Sequence, residues 1–359
     1  MANPYENLEP SAFWAPAVAQ RSMFDIADLW RPKFRIDPET PVSTFGSCFA
    51  QHFGMALRKR GFSWRQTESA PDGMSQEDAR KYNYGVFTSR TANIYTVSLL
   101  RQWVDWALGD KTPPDEVWER DGRFYDPFRP AIEPNGFASP EEMRLSRELA
   151  IEAFRKSFTH RKGVFVFTLG LTESWFNRDG GYEYPMCPGT AAGTFDPEQH
   201  VFVNQTSRQV TDALFGALKR MRKVNPRLKI LLTVSPVPLT ATKSGNHVLV
   251  ATTYSKSVLR AAAGEIAAMR EDIDYFPSYE IINSAPFKGA FFEPNLRSVN
   301  PAGVNHVMET FFRCMNTAYP DLGLNLAAQA APARRKTREE RTADVVCEEE
   351  LLAAFGAGA

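Results

Sequence analysis

STFGSCFAQHFG, Ser43 to Gly54, decides how the chain is read. With Pro41 and Val42 before it, "PVSTFG" is a short β-rich run that stops at Gly46. Phe49 to Arg60 then carries Phe49, Phe53, Ala56 and Leu57 on one helical face. A buried strand, a glycine turn and a helix in direct succession open a parallel α/β sheet. The turn needs its glycine. It does not need a hydroxyl beside a thiol, so Ser47 and Cys48 are the first candidates for chemistry.

The same alternation continues outward. Helices are expected over 92–108, 139–158, 207–224, 253–270 and 300–315. The helix at 139 starts on an N-cap signature, Ser-Pro-Glu-Glu. "KGVFVFTLG" (Lys162–Gly170) and "LKILLTVSPVPLT" (Leu228–Thr240) read as strands covered on both faces, and a short strand starts at Ile273. Residues 66–82 read as loop and 109–140 as an insertion. Residues 176–206 form a Gly/Pro/Asp-rich loop of the length used for lids and binding loops. The fold class is α/β, a three-layer α/β/α sandwich. An N-terminal arm covers 1–40, the domain 41–322, and a mostly disordered tail 323–359. A short apolar-faced helix (Val345, Leu351, Leu352, Phe355) ends that tail, read first as a frayed terminal helix and second as a peptide that docks on a partner or back on the domain. In such sheets ligands bind outside the C-terminal strand ends. That singles out Gly46-Ser47-Cys48, Gly170-Leu171-Thr172-Glu173 and Ser235-Pro236-Val237-Pro238.

Composition narrows the class. The 359 residues carry 42 Lys plus Arg against 42 Asp plus Glu, so no basic excess points to nucleic acid or an anionic membrane. No signal peptide and no apolar run of about 18 residues is visible, which predicts a cytoplasmic protein without membrane insertion. Four scattered cysteines form no C-x-x-C pair, and no nucleotide, dinucleotide or zinc motif is present, so neither cofactor nor metal is expected.

If the helix starts at Phe49, the Cys48 thiol lies at its positive end, where unpaired N–H groups favour a thiolate. A small buried apolar cysteine is the competing reading. Ser47 is an alternative nucleophile or an N-cap.

At "TFGSCFA" the chain resembles the GSCFA domain family. "FTLGLTESW", "NPRLKILLTVSPVPL", "YSKSVLRAA", "DYFPSYEII" and "FFEPNLRSVNPAGVNHVMETFF" extend the resemblance in order over roughly residues 40–315. The resemblance implies a place among the SGNH/GDSL hydrolases, flavodoxin-like enzymes that cleave or transfer acyl esters, often on carbohydrates. It puts Cys48 at the nucleophile's place and Thr172 at that of an oxyanion-binding Asn. Gly85 stands for an oxyanion glycine, with Asn93 as a nearby polar candidate. It also implies an Asp-x-x-His before the last helix, where this chain has Asn295 and Ser298.

Other histidines must then serve. His200 and His247 lie on loops expected to overhang the sheet, Glu173 could orient one of them, and His52 is one helical turn from Cys48. Ser255 beside Lys256 offers a Ser-Lys dyad on its face, and helix capping, the preferred reading, explains Ser255 as well. Trp175, Phe176, Tyr182 and Tyr184 would suit a sugar ring or would pack the loop itself. The expected function is acyl-ester hydrolysis or transfer on a small-molecule or glycan substrate, with Gly46, Gly170 and Ser235 lining the site. The alternative is a binding or scaffold protein that kept the pocket and lost the chemistry.

Overall fold

The computed structural model describes residues 3–160, 162–324 and 345–356. The chain runs β1 (Val42–Gly46), α1 (Phe49–Lys59), α2 (Gln76–Lys81), α3 (Val97–Ala107), β2 (Trp118–Arg120), β3 (Arg123–Tyr125) and α4 (Pro140–Thr159). It continues through β4 (Val164–Leu169), β5 (Glu173–Asn177), β6 (Glu183–Tyr184), β7 (His200–Asn204), α5 (Ser207–Val224) and β8 (Lys229–Val234). Then come α6 (Val248–Ala268), β9 (Ile273–Tyr275), α7 (Ser278–Asn283) and α8 (Pro301–Ala318).

The central sheet is parallel, in the order β1-β4-β8-β9. On the outer edge of β1, Val42 donates to the Ser63 carbonyl and accepts from the Arg65 N–H, and Val42 and Trp64 form a parallel bridge. That bridge is all that forms of a second strand. With it, the spatial order in chain sequence is 2-1-3-4-5, the flavodoxin-like order.

Alternation along the strands gives each face its own core. Phe165, Phe167 and Leu169 of β4 pack with α3, α4, α5 and α6. Val164 and Val166 turn to the opposite face and pack with α1, α7 and α8. Trp30, Phe34 and Ile36 of the N-terminal arm are buried in that second core. The outcome is a three-layer α/β/α sandwich.

Several local expectations change. Residues 92–96 are not helical; α3 begins at Val97, where the Thr96 hydroxyl accepts the Leu99 N–H. Ala92 sits in the left-handed region at φ 60°, which breaks any helix before it. The 66–82 loop contains α2, and the 109–140 insertion contains the β2–β3 hairpin. The 176–206 loop helps to form a three-stranded antiparallel sheet, β6-β5-β7. Its strands are too short for a clear two-residue period. Ser255 lies inside α6 and caps nothing there; it accepts the Thr172 N–H at 3.0 Å. Residues 325–344 lie outside the described residues, so the expected disorder of the tail does too. Val345–Gly356 returns to the domain. Among the described residues no helix is long and apolar enough to cross a membrane.

Candidate functional site

Two glycines let the ends of β1 and β4 close up. Gly46 has φ 123°, and a Cβ there would lie 2.1 Å from the Thr168 carbonyl oxygen. A Cβ at Gly170 would lie 2.8 Å from the Tyr95 carbonyl oxygen and 3.3 Å from the Ser47 Cβ. No other residue fits either position.

The segment before α3 crosses these strand ends. The Ile94 N–H donates to the Gly46 carbonyl at 2.9 Å, and the Tyr95 carbonyl accepts from Gly170 and Leu171 at 3.0 and 3.1 Å. Asn93 and Tyr95 are thereby held over the crevice between β1 and β4. In the order 2-1-3-4-5 this crevice is the topological switch point, where α/β sheets bind ligands. The left-handed Ala92 directly precedes Asn93 and fixes where the Asn93 N–H points.

Cys48 is the N-cap residue of α1, with helical backbone angles (φ −52°, ψ −26°), and is 7% exposed. Ser47 is 3% exposed, and its N–H donates to the Thr168 carbonyl at 3.0 Å. The Ser47 hydroxyl is buried and finds no hydrogen-bond partner among the described residues. It borders a cavity of about 10 Å³ that Gly46, Ala50, Gln51, Ala92 and Asn93 also line. That is room for about one water.

Polar side chains converge here, and one of them comes from the far end of the chain. The Gln51 amide donates to Asn93 Oδ1 at 2.9 Å. The Glu348 carboxylate is buried and accepts from the Asn93 side-chain amide and from the Tyr95 hydroxyl, the latter at 2.8 Å. The Asn93 N–H points at its other oxygen at 3.5 Å. Burial pushes the Glu348 carboxyl above the usual range, while the Asn93 and Tyr95 donors pull it back. No Lys or Arg pairs with it among the described residues.

At the end of β4, Lys256 is 2% exposed and its ammonium donates to the Gly170 carbonyl at 2.6 Å. Thr172 is fully buried, and its hydroxyl donates to Asn204 Oδ1 at 2.7 Å. Ser235 closes its own turn by accepting the Val237 N–H. Gly85, at φ 73°, lies beside the Gln66 amide, while Val86 and Phe87 after it line the cavity. Glu173 accepts from the Thr242 hydroxyl and the Lys243 N–H.

The structure does not bring His200 or His247 to this cluster. His200 pairs with Asn177 at the end of β7 opposite Asn204, roughly 13 Å along the strand from it. Its ring accepts the Asp196 N–H and packs edge-on to Tyr184. His247 is exposed and caps α6 by accepting the Leu249 N–H. Asn295 and Ser298 close a surface turn on each other, with the Asn295 amide donating to Ser298 Oγ at 3.0 Å. His306 is buried in the second core, stacked on Phe291. The loop aromatics pack together: Trp175 on Phe195 and Phe202, and Tyr182 on Tyr184. Among the described residues, no group of three or more His, Cys, Asp and Glu could hold a metal ion.

Sequence reading placed Cys48, Ser47, Gly46, Gly170 and Asn93 here and missed Gln51, Tyr95 and Glu348. Gln51 carried only a weak signal, a polar residue beside His52 between Phe49, Ala50 and Phe53. Tyr95 was hidden inside an expected helix.

The GSCFA family model matches residues 41–311, from the first residue before β1 into α8. The chain belongs to the GSCFA family. The match ends before the segment that carries Glu348. No curated protein and no solved structure matches the chain.

Proposed function

We propose that this GSCFA protein hydrolyses or transfers acyl esters by chemistry of the SGNH type, with Cys48 as nucleophile. One observation carries the proposal. At the carboxyl end of β1, neutral donors from Asn93 and Tyr95 hold a carboxylate, and Asn93 lines the same small cavity as Ser47, the residue before Cys48. Donors without a cation suit a negative charge that develops on an acyl oxygen during reaction better than a resident ion.

In the proposed reaction the Cys48 thiolate, favoured at the N-terminus of α1, attacks the acyl carbon. The carbonyl π pair moves to the oxygen, which Asn93 and Tyr95 stabilise. The C–O bond to the alcohol breaks, the alcohol leaves with a proton, and a thioester remains. Water or an acceptor alcohol then attacks the thioester and restores the thiol. His52, one helical turn from Cys48, is the proton carrier in this scheme. Thr172 is spent on Asn204 and supplies no oxyanion donor. The loop aromatics pack against one another, so they lend no support to a sugar ring in the substrate, and the acyl ester is the part of the substrate proposed here.

The test compares p-nitrophenyl acetate hydrolysis by wild type, Cys48→Ala, Cys48→Ser, Ser47→Ala and His52→Ala. Loss with Cys48→Ala and retention with Ser47→Ala are expected. Iodoacetamide should alkylate Cys48 with a midpoint below the ~8.5 of an ordinary thiol. Equal rates for wild type and Cys48→Ala, in the unaltered chain and again with Val346→Asp and Glu348→Ala in the tail, would remove Cys48 from the chemistry. A second reading, a binding protein, is favoured by the self-closed Asn295–Ser298 turn at the place of the expected Asp and His. That outcome of the comparison would select it.

A further inference from the structure

The chain's own C-terminal segment lies in the site. The Val346 N–H donates to Gln51 Oε1 at 2.9 Å, and its carbonyl accepts from Gln51 Nε2 at 2.7 Å and Asn93 Nδ2 at 2.9 Å. Cys347 is extended (φ −128°, ψ 92°), and two residues after Val346 the Glu348 carboxylate reaches Asn93 and Tyr95. A side-chain amide thus reads a main-chain peptide unit, and the crossover segment reads an acidic side chain. Together they form a small reading frame for an extended acidic peptide.

We propose that the Gln51–Asn93–Tyr95 cluster is a binding site for such a peptide, that Val346–Glu348 occupies it in cis, and that this occupant must leave before a substrate reaches Cys48. The docking stands on its contacts alone. Its consequence for turnover rests on the acyl-transfer reading above.

The seating is of a kind that can be undone. Val346 is half-buried against the small cluster of Val86, Phe87 and Ile132, whereas Leu351 and Phe355 are 43% and 72% exposed. The contacts inside the site are otherwise polar. Arg297 meets Glu350 at 3.5 Å at the rim, and Glu348 is buried with donors but no cation among the described residues. A ligand that brings its own amide and carboxylate satisfies the same groups.

The test uses the full-length chain with Val346→Asp and Glu348→Ala, changes confined to the tail. The probe is a fluorescein-labelled peptide of residues 343–356 with Cys347→Ser. A tethered segment has an effective concentration on the order of millimolar. The peptide should therefore bind the released variant at least tenfold more tightly than wild type. Glu348→Ala within the peptide should remove that binding, which tests the contact without altering the domain. Mass spectrometry should show Cys48 alkylated by iodoacetamide at least tenfold faster in the released variant. Equal peptide binding by both proteins, or none by the released variant, overturns the proposal. Cys48 protection that rises with protein concentration places the segment in a second copy and overturns the cis assignment. Peptide binding as expected with no gain in p-nitrophenyl acetate turnover upholds the docking and sinks the acyl-transfer reading alone.

Discussion

The Tyr95 hydroxyl donates to the Glu348 carboxylate at 2.8 Å, although 253 positions of chain separate the two residues. Tyr95 is held from behind, because its carbonyl accepts two N–H groups at the end of β4. Its hydroxyl therefore marks a fixed point over the β1–β4 crevice, and Glu348 comes to it.

That fixed point predicts a transition-state effect. In the variant with the tail released, Asn93→Ala and Tyr95→Phe should each lower kcat by about 10²–10³-fold on p-nitrophenyl acetate while moving KM little. Steady-state kinetics check this. A rise in KM at unchanged kcat would assign both residues to ground-state binding.

Gly46→Ala should cost at least about 3 kcal/mol, from an unfavourable φ of 123° and a Cβ driven into the Thr168 carbonyl. Urea unfolding measures it. Gly61→Ala is the comparison: its φ of 77° is strained as well, yet nothing lies within 4 Å of its Cβ position. It should cost markedly less.

Glu348 sets a pH dependence for the tail. Burial raises its carboxyl in the docked state, so docking binds protons and weakens as pH rises from the ordinary glutamate range through the raised value. The Val346 amide, which donates to Gln51, should lose hydrogen-exchange protection across that window once intrinsic exchange rates are corrected for. Glu348→Gln should flatten the profile. Protection that grows with pH would reverse the assignment.

Glu183 carries a second pH dependence, in the domain itself. It is buried, the Thr96 hydroxyl donates to one of its oxygens, and burial pushes its carboxyl up to about 7 against the Ser98 and Thr96 hydroxyls. The folded state therefore binds a proton that the unfolded chain releases near 4.5. Stability should fall by about 3 kcal/mol between pH 4.5 and 7 and level off above. Glu183→Gln should remove this fall and exceed wild type in urea midpoint at pH 8. A wild-type midpoint that does not drop between pH 5 and 8 would refute it.

The sequence by itself determined the strands of the central sheet, the long helices between them and the order in which they alternate. Phe165, Phe167 and Leu169 against Val164 and Val166 state a strand buried on both faces. Ser139 before Pro140, Glu141 and Glu142 states where α4 begins, and its hydroxyl accepts the Glu142 N–H. Gly46 marks the turn because only a glycine tolerates its backbone angles beside Thr168. These signals are local: periodicity, capping and φ preference act within a few residues. Tertiary structure decided the site. Ala92–Thr96 reads as the first turns of a helix until the ends of β1 and β4 supply its hydrogen bonds instead. Glu348 sits in a charged run that looks like any solvated helix start. Its burial depends on Gln51, Asn93 and Tyr95, far away in the chain, and a contact between distant residues leaves no pattern in either segment.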